Sequence, residues 1–530
     1  MLDPRLRAVA VVNAVVLVAG GLSLGQVRYE NRHKGDDSAS LNTLPGDTDG
    51  SQQPGASPST GPSGQPLPGA TTGPNGKPLT GSSGAPGTIT GPGGATPPPV
   101  TVTTDIPDFG LRTQGVTKDS VLIGADYDKG SCPQAQTLAG QFSAQATGDI
   151  AKSFSTYVKY INDTGGIRGR TLKLVTVDDG GTYCPEKNGS AAIELVDQYK
   201  VLMDIAGLHE VSDLLAKKHL PFLGGRSLIS EQRKQGYGQF QPFQDAESDY
   251  ANWASFGRNY LHSNTRKPCL IHPDTPDFNN LEKYLVRALS DQGYKFKMIV
   301  KYKDDPSTAT QQATQSAIAM KPNCDQVWLI ANNAIADVFF TDAAKTQNWY
   351  PTWTWTARTY LIDTQTGGAL MQPDEWKNSV GLTTRIKAGA SPYEGNCANI
   401  YKKYNGDDGM STSASAQIAC ATILLSSAAM RRAVDVTGEL TGNSLMLGVN
   451  AIRGDFFWDA TVPVTFSVPG LKGPFDFTGF DLQTVAKWNG NRLDYDFPEY
   501  PTYWKIMGPG KSGGVNITHA LQKKYTPPQK

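Results

Sequence analysis

The chain holds 530 residues, more than one ordinary domain takes, and balances 49 Lys and Arg against 49 Asp and Glu. That balance argues against a nucleic-acid binder, whose phosphate contacts need a basic excess. Six histidines with none at ligand spacing to another, and six cysteines with no C-x-x-C pair, argue against a metal site; no metal and no cofactor is expected.

Residues 1–34 contain an uncharged, mostly apolar run from Ala8 to Gly25, with Arg5 and Arg7 before it. Such a run is just long enough to span a hydrocarbon core, which takes about 20 helical residues. A cleaved signal peptide would need a small-x-small site, and Val18-Ala19-Gly20-Gly21 offers a poor one. A retained signal anchor, with a short basic end inside and the rest outside, is the preferred reading. No cysteine follows the run, which excludes lipoprotein attachment. Residues 35–114 read as a Pro/Gly/Ser/Thr-rich disordered linker in which Thr60-Gly-Pro-Ser-Gly, Thr72-Gly-Pro-Asn-Gly and Thr90-Gly-Pro-Gly-Gly recur. Its low-complexity part, about 65 residues of random coil, would reach on the order of 45 Å.

Residues 115–510 have the periodicity of an α/β protein, with 511–530 left as a tail. Val121 to Asp126 is a buried strand, and Ile150, Phe154, Tyr157, Val158 and Ile161 mark one face of the helix that follows. Gly165 and Gly166 end it. Strands at Leu172–Val177, Val201–Ala206 and Pro221–Leu223 alternate with helices near Ser190–Tyr199 and Val211–His219, an order that requires a parallel sheet. The series then restarts: strands at Cys269–Ile271, Lys297–Tyr302, Gln326–Ile330 and Thr352–Thr356, with helices between them. A strand at Val380–Thr384 and a long helix near Ala414–Val434 follow. Two such sets predict two doubly wound, Rossmann-like lobes with a cleft between them. The first lobe is expected at about 115–243 and 358–453, the second at about 244–357 and 454–510.

The stretches Gly115-Val-Thr, Val121-Leu-Ile-Gly124, Tyr157-Val-Lys-Tyr-Ile-Asn162 and Gly165-Gly-Ile-Arg-Gly-Arg170, closing at Asp178-Asp179, resemble the opening of type I periplasmic binding proteins. The nearest branch is the leucine/isoleucine/valine-binding proteins of ABC importers. The resemblance implies two lobes joined by three crossing strands, a ligand closed between them, and a place on the extracytoplasmic face of a bacterial cell membrane, or outside it if the leader is cleaved. Open α/β sheets bind ligands beyond the carboxyl ends of their strands. That rule nominates Tyr127, Asp128, His209, Arg226 and Ser227 in the first lobe, and Asp274, Thr275, Tyr302, Asn332 and Tyr360 in the second. The chain departs from the amino-acid binders where they grip their ligand. Gly207-Leu-His stands where they carry hydroxyls, Asp277-Phe278 replaces a Tyr-Gly, and Asn332-Asn333 stands where an acidic side chain catches the amino group.

Arg226 has the fork for a carboxylate or phosphate. Asp178 and Asp179 look like an acid/base pair, but the resemblance makes them the closure of a strand. Trp353 and Trp355 share one face of an expected hinge strand; an aromatic wall and lobe packing are both open. Six cysteines allow many connectivities, and pairing in sequence order is expected: Cys132 with Cys184, Cys269 with Cys324, Cys397 with Cys420. Cys269 and Cys324 begin neighbouring strands of the second lobe, within disulfide reach.

The expected function is solute binding for an ABC importer of an amino acid or related small polar solute, with an ABC permease as partner and no catalytic residue. The alternative is a tethered sensor or adhesion ectodomain on the same fold. A secreted hydrolase is the third reading, and Gly225-Arg-Ser227-Leu-Ile lacks the second glycine of a nucleophile elbow.

Overall fold

In the computed structural model the alternation of strand and helix closes into two separate sheets, the first parallel throughout and the second parallel over five of its strands. The structure describes residues 106–127, 129, 145–180, 185–207, 209–224, 235–241, 245–303, 308–331, 334–356, 373–384, 396–406, 414–456, 464–465, 482–488, 495–496, 504–505 and 515–516. The apolar run Ala8–Gly25 and the repeats of the expected linker lie outside them. Among the described residues, no helix is long and apolar enough to cross a membrane.

The first lobe runs β1 (Ser120–Tyr127), α1 (Gln145–Asp163), β2 (Thr171–Asp178), α2 (Asn188–Ile193), β3 (Asp204–Gly207), α3 (His209–Lys217), β4 (Phe222–Gly224) and β5 (Gln239–Phe240). Its strands are all parallel in the order β2-β1-β3-β4-β5. Parallel strands are covered on both faces, so they read as continuous apolar runs. On β1, Val121, Ile123 and Ala125 face a core shared with Phe154 and Ile161 of α1, while Leu122 packs toward Leu195 and Val196 behind α2.

The second lobe runs α4 (Ala246–Asn259), β6 (Pro268–Pro273), α5 (Pro276–Asp291), β7 (Met298–Tyr302), α6 (Ala309–Met320), β8 (Gln326–Leu329), α7 (Ala334–Thr346), β9 (Thr352–Thr356), α8 (Pro373–Trp376) and β10 (Val380–Thr383). The chain then returns to the first lobe as α9 (Asn396–Asn405), α10 (Ala414–Thr437) and α11 (Gly442–Asn450); α9 and α10 pack on α1, and α11 packs on α10. A two-stranded ribbon, β11 (Arg453–Phe456) with β12 (Val464–Thr465), follows. Next come β13 (Leu482–Trp488), β14 (Tyr495–Asp496), β15 (Trp504–Lys505) and β16 (Val515–Asn516), all in the second sheet. That sheet is parallel through β7-β6-β8-β9-β10 and antiparallel from β10 to β13, β15 and β16. The chain thus passes between the lobes three times.

The pairing redraws three expected boundaries. β10 hydrogen-bonds between β9 and β13, so residues 373–384 belong to the second lobe and not to the first. β16 pairs with β15 inside the expected tail. Residues 106–114, expected as the end of the linker, are ordered against the first lobe. There Phe109 N and Leu111 N each donate to Asn443 Oδ1 at 3.2 Å, and Asn443 Nδ2 donates to Asp108 Oδ1 at 3.1 Å. Arg112 N donates to His219 O at 2.9 Å, and Gln114 Nε2 reaches the carbonyls of Val196 and Val201 at 3.1 Å. This strap lies along the amino ends of β3 and β4, the base of the lobe.

The run from Asn162 to Arg170 is also a piece of the base. The Asn162 side chain holds the start of β2, donating to Leu172 O at 2.9 Å and accepting from Leu172 N at 2.7 Å. Gly166 turns with φ +59°, and a Cβ there would meet Arg170 O at 2.1 Å, so only glycine fits. Its carbonyl accepts from Arg431 Nε of α10 at 2.8 Å, and Arg168 pairs with Asp435 one turn on. Ile167 is fully buried between them.

Two disulfides are in place. Cys269–Cys324 joins the amino ends of β6 and β8 with Cα atoms 5.9 Å apart, and Cys397–Cys420 joins α9 to α10 at 5.8 Å. Cys132 and Cys184 lie outside the described residues. Closing a loop of 55 residues should contribute roughly 4 kcal/mol by chain entropy. Eight of the chain's nine tryptophans are among the described residues and all eight belong to the second lobe, so indole fluorescence follows chiefly that lobe's unfolding. We expect the double variant Cys269→Ser/Cys324→Ser to lower the urea midpoint read by that fluorescence by the equivalent of about 3–4 kcal/mol. An unchanged midpoint would show that the bridge does no stabilising.

Candidate functional site

All parallel strands of a lobe end on the same edge, and the loops leaving that edge form the candidate ligand site. In the first lobe the described part of this edge is tied together by Asp178. Its Oδ1 accepts from Lys129 N at 3.0 Å and Gly180 N at 3.3 Å, and its Oδ2 pairs with Lys187 Nζ at 2.7 Å. Lys129 Nζ also donates to Thr176 O at 2.6 Å. Asp179 is fully buried beside it. The pair therefore closes β2 and orders the loops around it; it is not arranged as an exposed acid and base.

Tyr127, the last residue of β1, is buried and stacks on Phe154 with ring centroids 6.2 Å apart. Burial, with some help from the Asp178 charge, pushes its hydroxyl above the ordinary range. His209 opens α3. Asp128, Arg226 and Ser227 lie outside the described residues.

In the second lobe, Asp274 and Thr275 follow β6. Thr275 is the N-cap of α5, its side chain accepting from Phe278 N at 3.4 Å. Asp274 N donates to Tyr302 O at 2.7 Å, and Asp274 Oδ1 accepts from Asn279 Nδ2 at 3.0 Å. Tyr302 turns into the core, with its ring 5.4 Å from that of Phe340. Each of these side chains is engaged within its own lobe. Asn332 and Tyr360 lie outside the described residues.

A polar chain that spacing does not reveal runs beneath this loop. Strand register sets Lys301 of β7 beside His272 of β6. Lys301 Nζ reaches Glu282 Oε2 at 2.7 Å and Asn279 Oδ1 at 2.8 Å. His272, fully buried, sits 3.1 Å from Glu282 Oε2 through Nε2 and 2.8 Å from Pro273 O through Nδ1. Burial pulls the imidazole below its usual range, outweighing the carbonyl and carboxylate that pull it up. The neutral ring has one proton, so it donates to one of these two oxygens only.

The tryptophans are core, not an aromatic wall, and their strand β9 is a sheet strand and not a hinge. Trp353 and Trp355 are fully buried on one face of β9 with Trp349 and Trp376, while Thr354 on the other face accepts from Trp253 Nε1 at 3.0 Å. Trp353 Nε1 donates to Glu375 Oε1 at 2.9 Å. Among the described residues, no group of three or more His, Cys, Asp or Glu side chains is placed to hold a metal ion.

Comparison with known proteins is decisive at the level of family. The model of the periplasmic binding protein family matches residues 134–488, about two thirds of the sequence. The chain belongs to that family, in its type I branch. No curated protein matches it by sequence at a significant level. Among solved structures, it is similar to the branched-chain amino acid transporter substrate binding protein LivJ from Streptococcus pneumoniae, in complex with isoleucine. There the TM-score is 0.53 and identity 12%, covering 72% of this chain and 100% of that one. A branched chain amino acid ABC transporter from Thermus thermophilus with bound valine aligns with TM-score 0.53 and 15% identity, over 72% of this chain and 96% of that one. A solute binding protein of an ABC transporter from Rhodopseudomonas palustris, in complex with 3,4-dihydroxybenzoic acid, aligns with TM-score 0.50 and 14% identity, over 70% and 93%. At such identities the likeness is one of fold. The family is one of solute-binding proteins rather than enzymes, and it implies an extracytoplasmic location, which suits the two disulfides.

Glu375 gives the second lobe a distinct pH response. Burial, outweighing the Trp353 bond and the charges of Lys377 and Lys345, pushes its carboxyl up to about 8. A carboxyl raised on folding contributes stability that is complete below its unfolded value near 4.5 and is lost as pH rises through 8. We expect Glu375→Gln, which keeps an acceptor for Trp353, to flatten this slope. It should raise stability at pH 8 by on the order of 3 kcal/mol in thermal melts taken from pH 5 to pH 8. Parallel pH curves for the two proteins would refute the assignment.

Proposed function

We propose that the protein captures a small polar solute, an amino acid or a relative of one, between its lobes outside the membrane and delivers it to an ABC permease. The observation that supports this reading is that the fold match spans both lobes and takes in nearly the whole length of substrate-binding proteins from ABC transporters. The contacts we assign to the ligand are Asp128, His209, Arg226 and Ser227 from the first lobe and Asn332 and Tyr360 from the second, with Tyr127, Asp274, Thr275 and Tyr302 shaping the loops behind them. The run Ala8–Gly25 would hold the protein at the membrane, and the Pro/Gly-rich segment would space it from the surface.

The departures from the amino-acid binders shift the expected ligand away from leucine. Asn332 and Asn333 remove the acidic partner of an ammonium group, whereas Arg226 keeps a partner for a carboxylate. The solutes to screen are therefore amino acids, amides, short peptides and aromatic carboxylates. The aromatic class is included because the Rhodopseudomonas relative is in complex with one. A second reading, a tethered sensor that uses the same capture without a transporter, draws on the anchor and long spacer. Lobe-surface variants that leave uptake unchanged would favour it.

Native mass spectrometry of the gently purified protein, followed by a thermal-shift panel of these solutes, tests the proposal. A ligand at about a hundredfold over its Kd stabilises the folded state by roughly 3 kcal/mol, a shift of several degrees. Arg226→Ala should then weaken a carboxylate ligand by about tenfold or more. A panel without any shift, and no co-purifying small molecule, would overturn solute capture.

A further inference from the structure

The three passages between the lobes leave or enter the second lobe at neighbouring points. The first runs from β5 of the first sheet into α4, the second leaves β10 for α9, and the third comes from α11 and the β11–β12 ribbon into β13. In the second sheet β10 lies between β9 and β13, with Leu382 opposite Thr356 and Thr383 opposite Thr484. The outgoing end of β10, the incoming end of β13 and the last residue of β9 are therefore side by side.

One buried carboxylate spans them. Asp249, in the first turn of α4, has no exposed surface. Its Oδ2 accepts from Thr356 Oγ1 at 2.7 Å and its Oδ1 from Gln483 Nε2 at 2.7 Å. Gln483 Oε1 accepts in turn from Asn252 Nδ2, one turn further along α4, at 3.1 Å. Thr356, Gln483 and Asn252 are buried as well. The chain is joined here across 107 and 234 residues of sequence, straddling the strand from which the second passage departs. A buried carboxyl with a hydrogen-bond donor on each oxygen is costly to lose, because its removal takes a partner from a buried hydroxyl and from a buried amide.

We propose that Asp249 is a positioning residue for lobe closure: it fuses the second-lobe ends of all three passages into one rigid block. Closing motion then bends the chain between the lobes and not within the sheet. This rests on the reading that the lobes close on a solute, and it adds to that reading the side chain that fixes where the bend begins. Hinge motions confined to a few residues need rigid bodies on either side. Asp249 supplies one by tying the helix entered by the first passage to the strand entered by the third.

The test uses the full chain. Nitroxides are attached through a keto amino acid at Ser155 of α1 and Ile318 of α6, both exposed, leaving the native cysteines untouched. Pulsed electron resonance then gives the distribution of distances between the lobes. Asp249→Ala should broaden that distribution about twofold or more relative to the parent protein. Asp249→Asn should restore it, since its amide can donate to the Thr356 hydroxyl while its oxygen keeps Gln483. Thr356→Val, which removes a single tie, should broaden it by less, and it serves as the reporter if Asp249→Ala does not fold. Leu285→Ala, a cavity elsewhere in the same lobe's core, should lower the melting temperature and leave the width unchanged. The proposal is overturned if Asp249→Ala, or Thr356→Val in its place, has the parent width, or if Leu285→Ala broadens it equally. If no solute of the panel shifts the parent's mean distance while Asp249→Ala still broadens it, the block stands and solute capture fails.

Discussion

A parallel strand cannot be joined to its neighbour by a tight turn. The chain must leave the sheet, cross one face as a helix and come back at the starting end. The two sheets make eight such parallel joins, seven of them through a helix among the described residues, and the rest of the structure follows from this. Helices cover both faces, so alternate residues of β1 and β8 feed different cores, as Val121 and Leu122 or Val327 and Trp328 do. The carboxyl ends of a lobe's parallel strands emerge on one edge, and the loops on that edge are the ones placed to meet a solute. The opposite edge is left for holding the lobe together.

The second lobe solves an additional problem, since it packs several indoles where aliphatic side chains would do. Each brings an N–H that must be satisfied. Trp253 donates to Thr354, Trp328 to Gln326, Trp349 to the carbonyl of Cys324 and Trp353 to Glu375, all between 2.9 and 3.0 Å. Room is made by glycines: a Cβ on Gly257 would meet Trp328 at 2.4 Å, and one on Gly381 would meet Trp355 at 2.3 Å. The raised carboxyl of Glu375 and the doubly bonded carboxyl of Asp249 are two answers to the same demand, polar partners for groups that the sheet buries.

Much of this was legible from order and pattern. Apolar runs marked the strands, the Ile150–Phe154–Ile161 face marked α1, and the neighbourhood of strands one and three in the second lobe brought Cys269 to Cys324. What escaped was whatever depends on pairing across long sequence separation. Val380–Thr384 is recognisable as a strand, but its place beside β9 is decided by hydrogen bonds to Thr354 and β13, so its lobe was misassigned. Trp353 and Trp355 share a face as period two requires, yet nothing local says that the face is a core. The chain from His272 through Glu282 to Lys301 exists only through register. The family fingerprint around Gly165 and Arg170 was the easiest motif to see. It belongs to the base of the first lobe and to α10, so it identifies the fold and is silent on the ligand.

The strap of residues 106–114 has a mechanical meaning. Its hydrogen bonds to Asn443, His219 and the turns before β3 and β4 are made to the first lobe alone. Tension arriving along the chain from residues before Ile106 would therefore enter one lobe, at its base, and load those bonds together before reaching β1. The second lobe would carry none of that load directly and would stay free to swing.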